Sequence, residues 1–252
     1  MINILLTSDL HYDGTGKQPN PRVAQTILSN LRPDRSNIVI AAGDLTDHGY
    51  DGKVTNKCLF SCCSGNSVLT GGSNVNELKQ FNDSFVQPID ANESTHLCLI
   101  HGNHDTYNGA GRYPVQDYIK KRHGNLYYTH QINDVILFFC GLYPDENICH
   151  WIQSESNKLK VTPKTPLVFI FHYNLYGNMS DWWTDAQKET FVQTVKGFNV
   201  LAVCVGHLHD TYTGMYKGLR VVSGAHPERF AQIVIGPVNG TETPVNVNFI
   251  KY

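Results

Sequence analysis

Six short runs rich in Val, Ile, Leu and Phe constrain this chain most: INILLT (2–7), NIVIAA (37–42), HLCLI (96–100), VILFFC (135–140), LVFIF (167–171) and VLAVCV (200–205). Their length and composition predict buried β-strands. Helical signals lie between them. PRVAQTILSNL (21–31) opens with Pro, and VNELKQFNDSFV (75–86) spaces Val75, Leu78, Phe81 and Phe85 at helical intervals. TDAQKETFVQTV (184–195) offers Thr184 as an N-cap ahead of an acidic first turn. After about residue 211 the pattern is strand-like with turns. Strands alternating with helices and ending in strands predict a layered α/β domain.

Five of the six runs end in the same way. INILLT leads into Ser8-Asp9-Leu10-His11, NIVIAA into Gly43-Asp44-Leu45-Thr46-Asp47, and HLCLI into His101-Gly102-Asn103-His104-Asp105. LVFIF leads into His172 and VLAVCV into Gly206-His207-Leu208-His209. Sites in α/β sheets gather beyond the carboxyl ends of strands, so the five bursts are expected to converge. Any one of them alone is as easily a polar strand end. All five together supply carboxylate, imidazole and amide oxygen, the ligand set of borderline divalent metals such as Zn, Mn or Fe. Asp9, His11, Asp44, Asn103, His172, His207 and His209 are seven candidates, more than one ion uses. Two ions sharing a carboxylate would use them economically, and such pairs suit hydrolytic displacement at phosphorus or carbonyl centres.

The bulk properties exclude several classes. With 41% hydrophobic and 17% charged residues over 252 positions, the chain can build a sizeable core, and extensive disorder is not expected. A net charge of −2 gives no basic surplus for a nucleic-acid surface. No apolar run approaches the roughly 18 residues that span a bilayer. The opening MINILLTSDLH has neither a basic lead nor a sustained apolar core, so no signal peptide is expected. Cys98, Cys140 and Cys204 lie in strand-like runs as small core residues, and the odd total of seven cysteines fits a reducing, cytoplasmic setting. No repeat or linker divides the chain, which reads as one domain over 1–252. The polar, cysteine-bearing stretch at about 53–74 reads as a surface insertion. Its Cys58, Cys62 and Cys63 lack a fourth ligand at zinc spacing.

The ordered set D-x-H, G-D, G-N-H-D, H and G-H-x-H, running from Asp9 to His209, resembles the calcineurin-like metallophosphoesterase superfamily. The resemblance implies two mixed β-sheets packed as a sandwich and flanked by helices. It further implies that Asp9, His11 and His209 bind one metal, that Asp44 bridges, and that Asn103, His172 and His207 bind the second. His104 would be the catalytic imidazole, with Asp105 orienting it. The implied reaction is attack on a small-molecule phosphoester by a metal-bridging hydroxide. The chain departs from the protein serine/threonine phosphatases, whose G-D-x-x-D-R-G arginine is replaced by His48 and whose arginine after the G-N-H-E block is replaced by Thr106. GDLTDHG with GNHD looks more like the bacterial-type cyclic-nucleotide and glycerophosphodiester phosphodiesterases, which favours diesters. A phosphomonoesterase is the alternative activity, and a non-catalytic scaffold of the same fold is the alternative of another class.

Other residues carry weaker expectations. Asp47 reads as a loop or helix-cap group. His101 is either a support for a ligand or a strand-end group with a local hydrogen bond. His48 and His226 are more simply packed or solvated than pocket-lining, and His123, His130 and His150 are placed at surface or edge positions. Arg112, a loop arginine after GNHD, is a candidate phosphate contact. Trp182 and Trp183 form an aromatic wall or pack structurally, with packing the simpler reading.

Overall fold

The computed structural model describes residues 1–15, 22–52, 76–107, 113–225, 228–238 and 243–252. Three early strands, β1 (Ile2–Thr7), β2 (Ser36–Ala42) and β3 (Thr95–Ile100), run parallel. Two late strands, β10 (Arg229–Ile235) and β11 (Val245–Lys251), add antiparallel on the β1 side, so the sheet order is β11-β10-β1-β2-β3. The second sheet comprises β4 (Tyr128–Ile132), β5 (Val135–Phe139), β6 (Pro166–Ile170), β7 (Asn199–Val205), β8 (Thr211–Tyr216) and β9 (Leu219–Gly224). Its order is β4-β5-β6-β7-β9-β8, parallel from β5 to β9 and antiparallel at both edges.

Side-chain alternation sorts these strands into layers. Ile4, Leu6, Ile38, Ile40 and Ile100 of the first sheet meet Leu137, Phe139, Val168, Ile170 and Cys204 of the second, forming the core between the sheets. The intervening residues Leu5, Val39, Ala41, Leu97 and Leu99 face outward under α1 (Val23–Ser29) and the helical segment 77–90. The outer face of the second sheet, with Phe138, Phe169 and Phe171, is covered by α5 (Glu146–Lys158) and α6 (Asp185–Thr194) through Ile152 and Phe191. Because helices cover both outer faces, the central strands need apolar residues on both sides. That is why the six runs read as continuous rather than alternating.

The segment 77–90 consists of α2 (Glu77–Phe81), one π turn over Asn82–Val86, and α3 (Gln87–Asp90). Pro88 in α3 has no N–H for the carbonyl four residues back, and the wider turn accommodates that gap. Helix α4 (Pro114–His123) and helix α5 go beyond the three helices expected from the sequence. Thr184 caps α6 in a reciprocal capping box with Gln187. No helix among the described residues is long and apolar enough to cross a membrane.

Polar order at the far end of the first sheet comes from Asn37. Its side chain accepts from Asn3 Nδ2 and Arg32 N, both at 2.9 Å, and donates to the carbonyls of Arg32 and Arg35. Asn37→Ala would remove these four bonds, the one to Asn3 fully buried, and is expected to cost about 2–3 kcal/mol, read from the shift in urea midpoint at unchanged slope.

Candidate metal centre

The carboxyl ends of β1, β2 and β3 in one sheet and of β6 and β7 in the other lie at a single edge of the sandwich. Hydrogen bonds across the sheets fix them there. His172 Nδ1 donates to the Ala42 carbonyl at 2.8 Å, and the His207 N–H donates to Asp9 Oδ2 at 2.9 Å. Small residues allow the approach: a Cβ on Gly102 would lie 2.2 Å from the Asp44 backbone nitrogen, and one on Gly206 would lie 2.0 Å from Ser8 Oγ.

The seven expected ligands come together in two groups. Asp9, His11, Asp44 and His209 form the first, with His209 Nε2 3.2 Å from Asp9 Oδ1 and His11 Nε2 3.1 Å from His209 Nε2. Asp44, His172 and His207 form the second. Asn103 joins it through Oδ1, 3.2 Å from His172 Nε2, while its amide nitrogen donates to the Tyr107 hydroxyl at 2.6 Å. Asp44 belongs to both groups, with Oδ2 3.2 Å from His172 Nε2 and 3.9 Å from His11 Nε2.

Backbone strain concentrates here. Of nine non-glycine residues with positive φ among the described residues, five are Asp9, His11, Asp44, His207 and His209. Each such conformation costs on the order of 1–3 kcal/mol and persists only where surrounding structure enforces it. Five together indicate side chains aimed at a common point.

The donor set fits cations. With Nδ1–H committed to a carbonyl, His172 turns Nε2 towards Asp44 Oδ2 and Asn103 Oδ1, so loss of the Nε2 proton would leave three acceptors facing one another. Asp9 Oδ1, Asp44 Oδ2 and His207 Nε2 are buried without a hydrogen-bond partner. The ion pairs of Asp9, Asp44 and Asp47 among the described residues are all with histidines. Electrostatics say the same. Burial pushes His172 down, but the Asp44 carboxylate beside it lifts it to about 9, so a proton sits where a cation otherwise could. Burial and then His172 hold His207 at about 4, leaving it a neutral donor. Burial opposes the charge on Asp44, yet His172 and His11 hold its carboxyl well below the usual range.

His104 sits beside the first group, its ring centroid 4.5 Å from that of His11. Its backbone N–H donates to Asp44 Oδ1 at 2.9 Å, and its Nδ1 donates to the Asp47 carbonyl at 2.9 Å. The Asp47 carboxylate lies 3.5 Å from His104 Nδ1 and 3.4 Å from His11 Nδ1. Asp47 is therefore the acid beside His104, contrary to the loop or cap role expected of it. Asp105 does something else. It is fully buried and accepts from the N–H groups of Leu45, Thr46 and Gly102 and from the Thr46 hydroxyl, tying together the loops after β2 and β3. A second aspartate three residues after G-D was the signal available for Asp47.

The remaining expectations resolve case by case. His48 pairs with the buried Glu77 at 3.1 Å and stacks on Tyr50. His101 is buried and its Nδ1 has no hydrogen-bond partner. His123 accepts from the Leu99 N–H and stacks on Tyr128, so it is packed rather than at the surface. Trp183 is buried and Trp182 is exposed. Arg112, His226 and the insertion with Cys58, Cys62 and Cys63 lie outside the described residues.

The sequence profile of the calcineurin-like phosphoesterase family matches residues 2–211, a span that takes in all of these loops. The chain belongs to that family. A comparison with the curated proteins finds no match. Among solved structures, the chain is similar to a candidate 5'-nucleotidase from Staphylococcus aureus, with TM-score 0.56 and 14% identity, covering 99% of this chain and 54% of that one. It thus spans about half the length of that neighbour. A dimetal phosphatase from Danio rerio matches with TM-score 0.53 and 12% identity over 100% of this chain and 99% of that one. GAP50, the anchor in the inner membrane complex of Plasmodium, matches with TM-score 0.55 and 9% identity over 98% and 79%. At these identities the likeness is one of fold.

Proposed function

We propose that this calcineurin-like phosphoesterase is a hydrolase of phosphodiesters that works with two divalent cations, Mn, Zn or Fe. One observation carries the reading: carboxylate, amide and imidazole groups from both sheets, Asp9, Asp44, Asn103, His172, His207 and His209, face one another in two adjoining groups, buried except at His209. Asp9, His11 and His209 would hold one cation, Asn103, His172 and His207 the other, and Asp44 both. Such a pair supplies Lewis-acid polarisation of phosphoryl oxygens and a water acidified enough to attack near neutral pH.

The chain's own residues do the rest. His104, with Nδ1 fixed by the Asp47 carbonyl, offers Nε2 as proton donor to the leaving-group oxygen. Asp47 holds both His11 and His104 in orientation. Asp105 clamps the loops that carry Asp44 and Asn103. Among the described residues no lysine or arginine is an ion-pair partner of these carboxylates, and a singly charged diester asks for less cationic counter-charge than a monoester dianion. That supports the diester reading. The buried, unpaired thiols of Cys98, Cys140, Cys149 and Cys204 support a reducing, cytoplasmic setting.

Side-by-side turnover of bis(p-nitrophenyl) phosphate and p-nitrophenyl phosphate, with Mn, with Zn and with chelator, tests the reading. Metal-dependent turnover of the diester should dominate. His104→Ala is expected to lower kcat by about 10²–10³-fold with metal content unchanged. Dominant monoester turnover would make the protein a phosphomonoesterase. Bound metal with no turnover of either ester would point to a scaffold.

A further inference from the structure

Next to the second ligand group stands an aromatic side chain that the chemistry above does not use. Trp182 is 46% exposed, while its neighbour Trp183 is 2% exposed. The Trp182 ring meets the His207 ring edge-to-face at 4.7 Å between centroids and the Tyr173 ring at 5.6 Å. Tyr173 in turn lies 4.9 Å from His207. An exposed indole thus borders an imidazole proposed to hold a cation.

Its loop is braced on both sides. Trp183 Nε1 donates to the Asn174 carbonyl at 2.8 Å within the outer core of the second sheet. The Asn174 amide donates to the carbonyls of Tyr176 and Asn178 and accepts from the Tyr212 hydroxyl. One residue further on, Thr184 caps α6. The turn carrying Trp182, Ser180–Trp182, follows Met179 at φ +55°. Packing demands Trp183 but leaves almost half of Trp182 in water. A large rigid ring held ready at the rim of a site contributes affinity with little ordering cost on binding.

We propose that Trp182 selects phosphoesters whose organic group carries a planar aromatic or heteroaromatic ring, with nucleotides as the natural class, by stacking that ring at the rim. The inference rests on the phosphoesterase reading for the position of the phosphate. Stacking of a base on an aromatic side chain is worth about a ten- to hundredfold in affinity.

The test compares the 5'-phosphonate analogues of adenosine and of ribose, which share one non-hydrolysable anion and differ in the base. Calorimetric titration of the Mn-loaded protein should show the adenosine analogue binding ten- to hundredfold more tightly. Trp182→Ala should bring that ratio close to one, and Trp182→Phe should retain most of it. On an aryl diester, Trp182→Ala should raise KM more than it lowers kcat. Equal binding of both analogues by the wild type, or an unchanged ratio in Trp182→Ala, overturns the Trp182 assignment alone. No binding of either analogue, together with no turnover of bis(p-nitrophenyl) phosphate, overturns the phosphoesterase reading and this assignment with it.

Discussion

Asp44→Asn is expected to lower kcat for phosphodiester hydrolysis by at least about a thousandfold, roughly 4 kcal/mol of transition-state stabilisation, and to leave the fold in place. Asp44 is the one side chain shared by both ligand groups. Its Oδ2 is buried without a hydrogen-bond partner, 3.2 Å from His172 Nε2. A neutral amide there removes the charge that can serve two cations at once, so occupancy of both sites should fall. The fold should tolerate the change for two reasons. Asn accepts the left-handed backbone that position 44 adopts at φ +48° better than almost any other non-glycine residue. Its Oδ1 can still accept the His104 N–H. Steady-state kinetics, elemental analysis and far-UV circular dichroism read the three consequences separately. Turnover within tenfold of wild type at full metal content would reject the role given to Asp44.

Gly102→Ala is expected to cost about 3 kcal/mol or more in stability and to abolish activity in whatever protein remains folded. The added methyl would lie 2.1 Å from Asp44 Oδ1 and 2.2 Å from the Asp44 backbone nitrogen. The nitrogen is the decisive neighbour, because it cannot swing aside as a side chain can. Both loops are also held by others: the Gly102 N–H bonds to Asp105 Oδ2 at 2.8 Å, and Asp105 holds the Thr46 N–H at 2.9 Å. Relief therefore requires separating β2 from β3 at their carboxyl ends. Gly124→Ala is the informative control. It ends α4 at φ +83° with nothing within 4 Å of the added carbon, so only backbone strain opposes it, about 1 kcal/mol. Urea unfolding of the two variants, at equal slopes, would separate collision from strain. Equal losses would show that the close approach at Gly102 relaxes cheaply.

Much of the fold was legible because both sheets are covered on their outer faces, which forces continuous apolar runs at β1, β2, β6 and β7. The helices were harder. Helix α4 buries only Pro114, Val115 and Ile119, and α5 only Cys149, Ile152 and Ser156, so neither carries a broad apolar stripe. The seven ligand candidates were legible as strand-end bursts, since strand direction puts them at one edge. The partners of His104 were not. Asp105 follows His104 in sequence, but the short 3-10 turn His104–Thr106 sends its carboxylate inward to backbone donors. Asp47 reaches the imidazole because the loop after β2 curls back over it. Adjacent in sequence, Trp182 and Trp183 look interchangeable. Only the three-dimensional path of the loop sends one to the core and the other to the rim.

The split of the site between two sheets sets when, during synthesis, the proposed metal ligands come together. Asp9, Asp44 and Asn103 leave the ribosome early, whereas His172, His207 and His209 follow many residues later. Asp9 reaches the His207 amide across 198 positions. A nascent chain ending before β7 therefore holds Asp9, His11, Asp44, Asn103 and His172 but lacks His209 and His207, which complete the first and second groups. Both complete groups exist only after the second sheet has docked against the first, so metal uptake at the proposed sites would come late and mark the finished sandwich. A cation bound there would then act as a clasp, raising the cost of parting the sheets by about 1.4 kcal/mol for each tenfold rise in free metal above its dissociation constant.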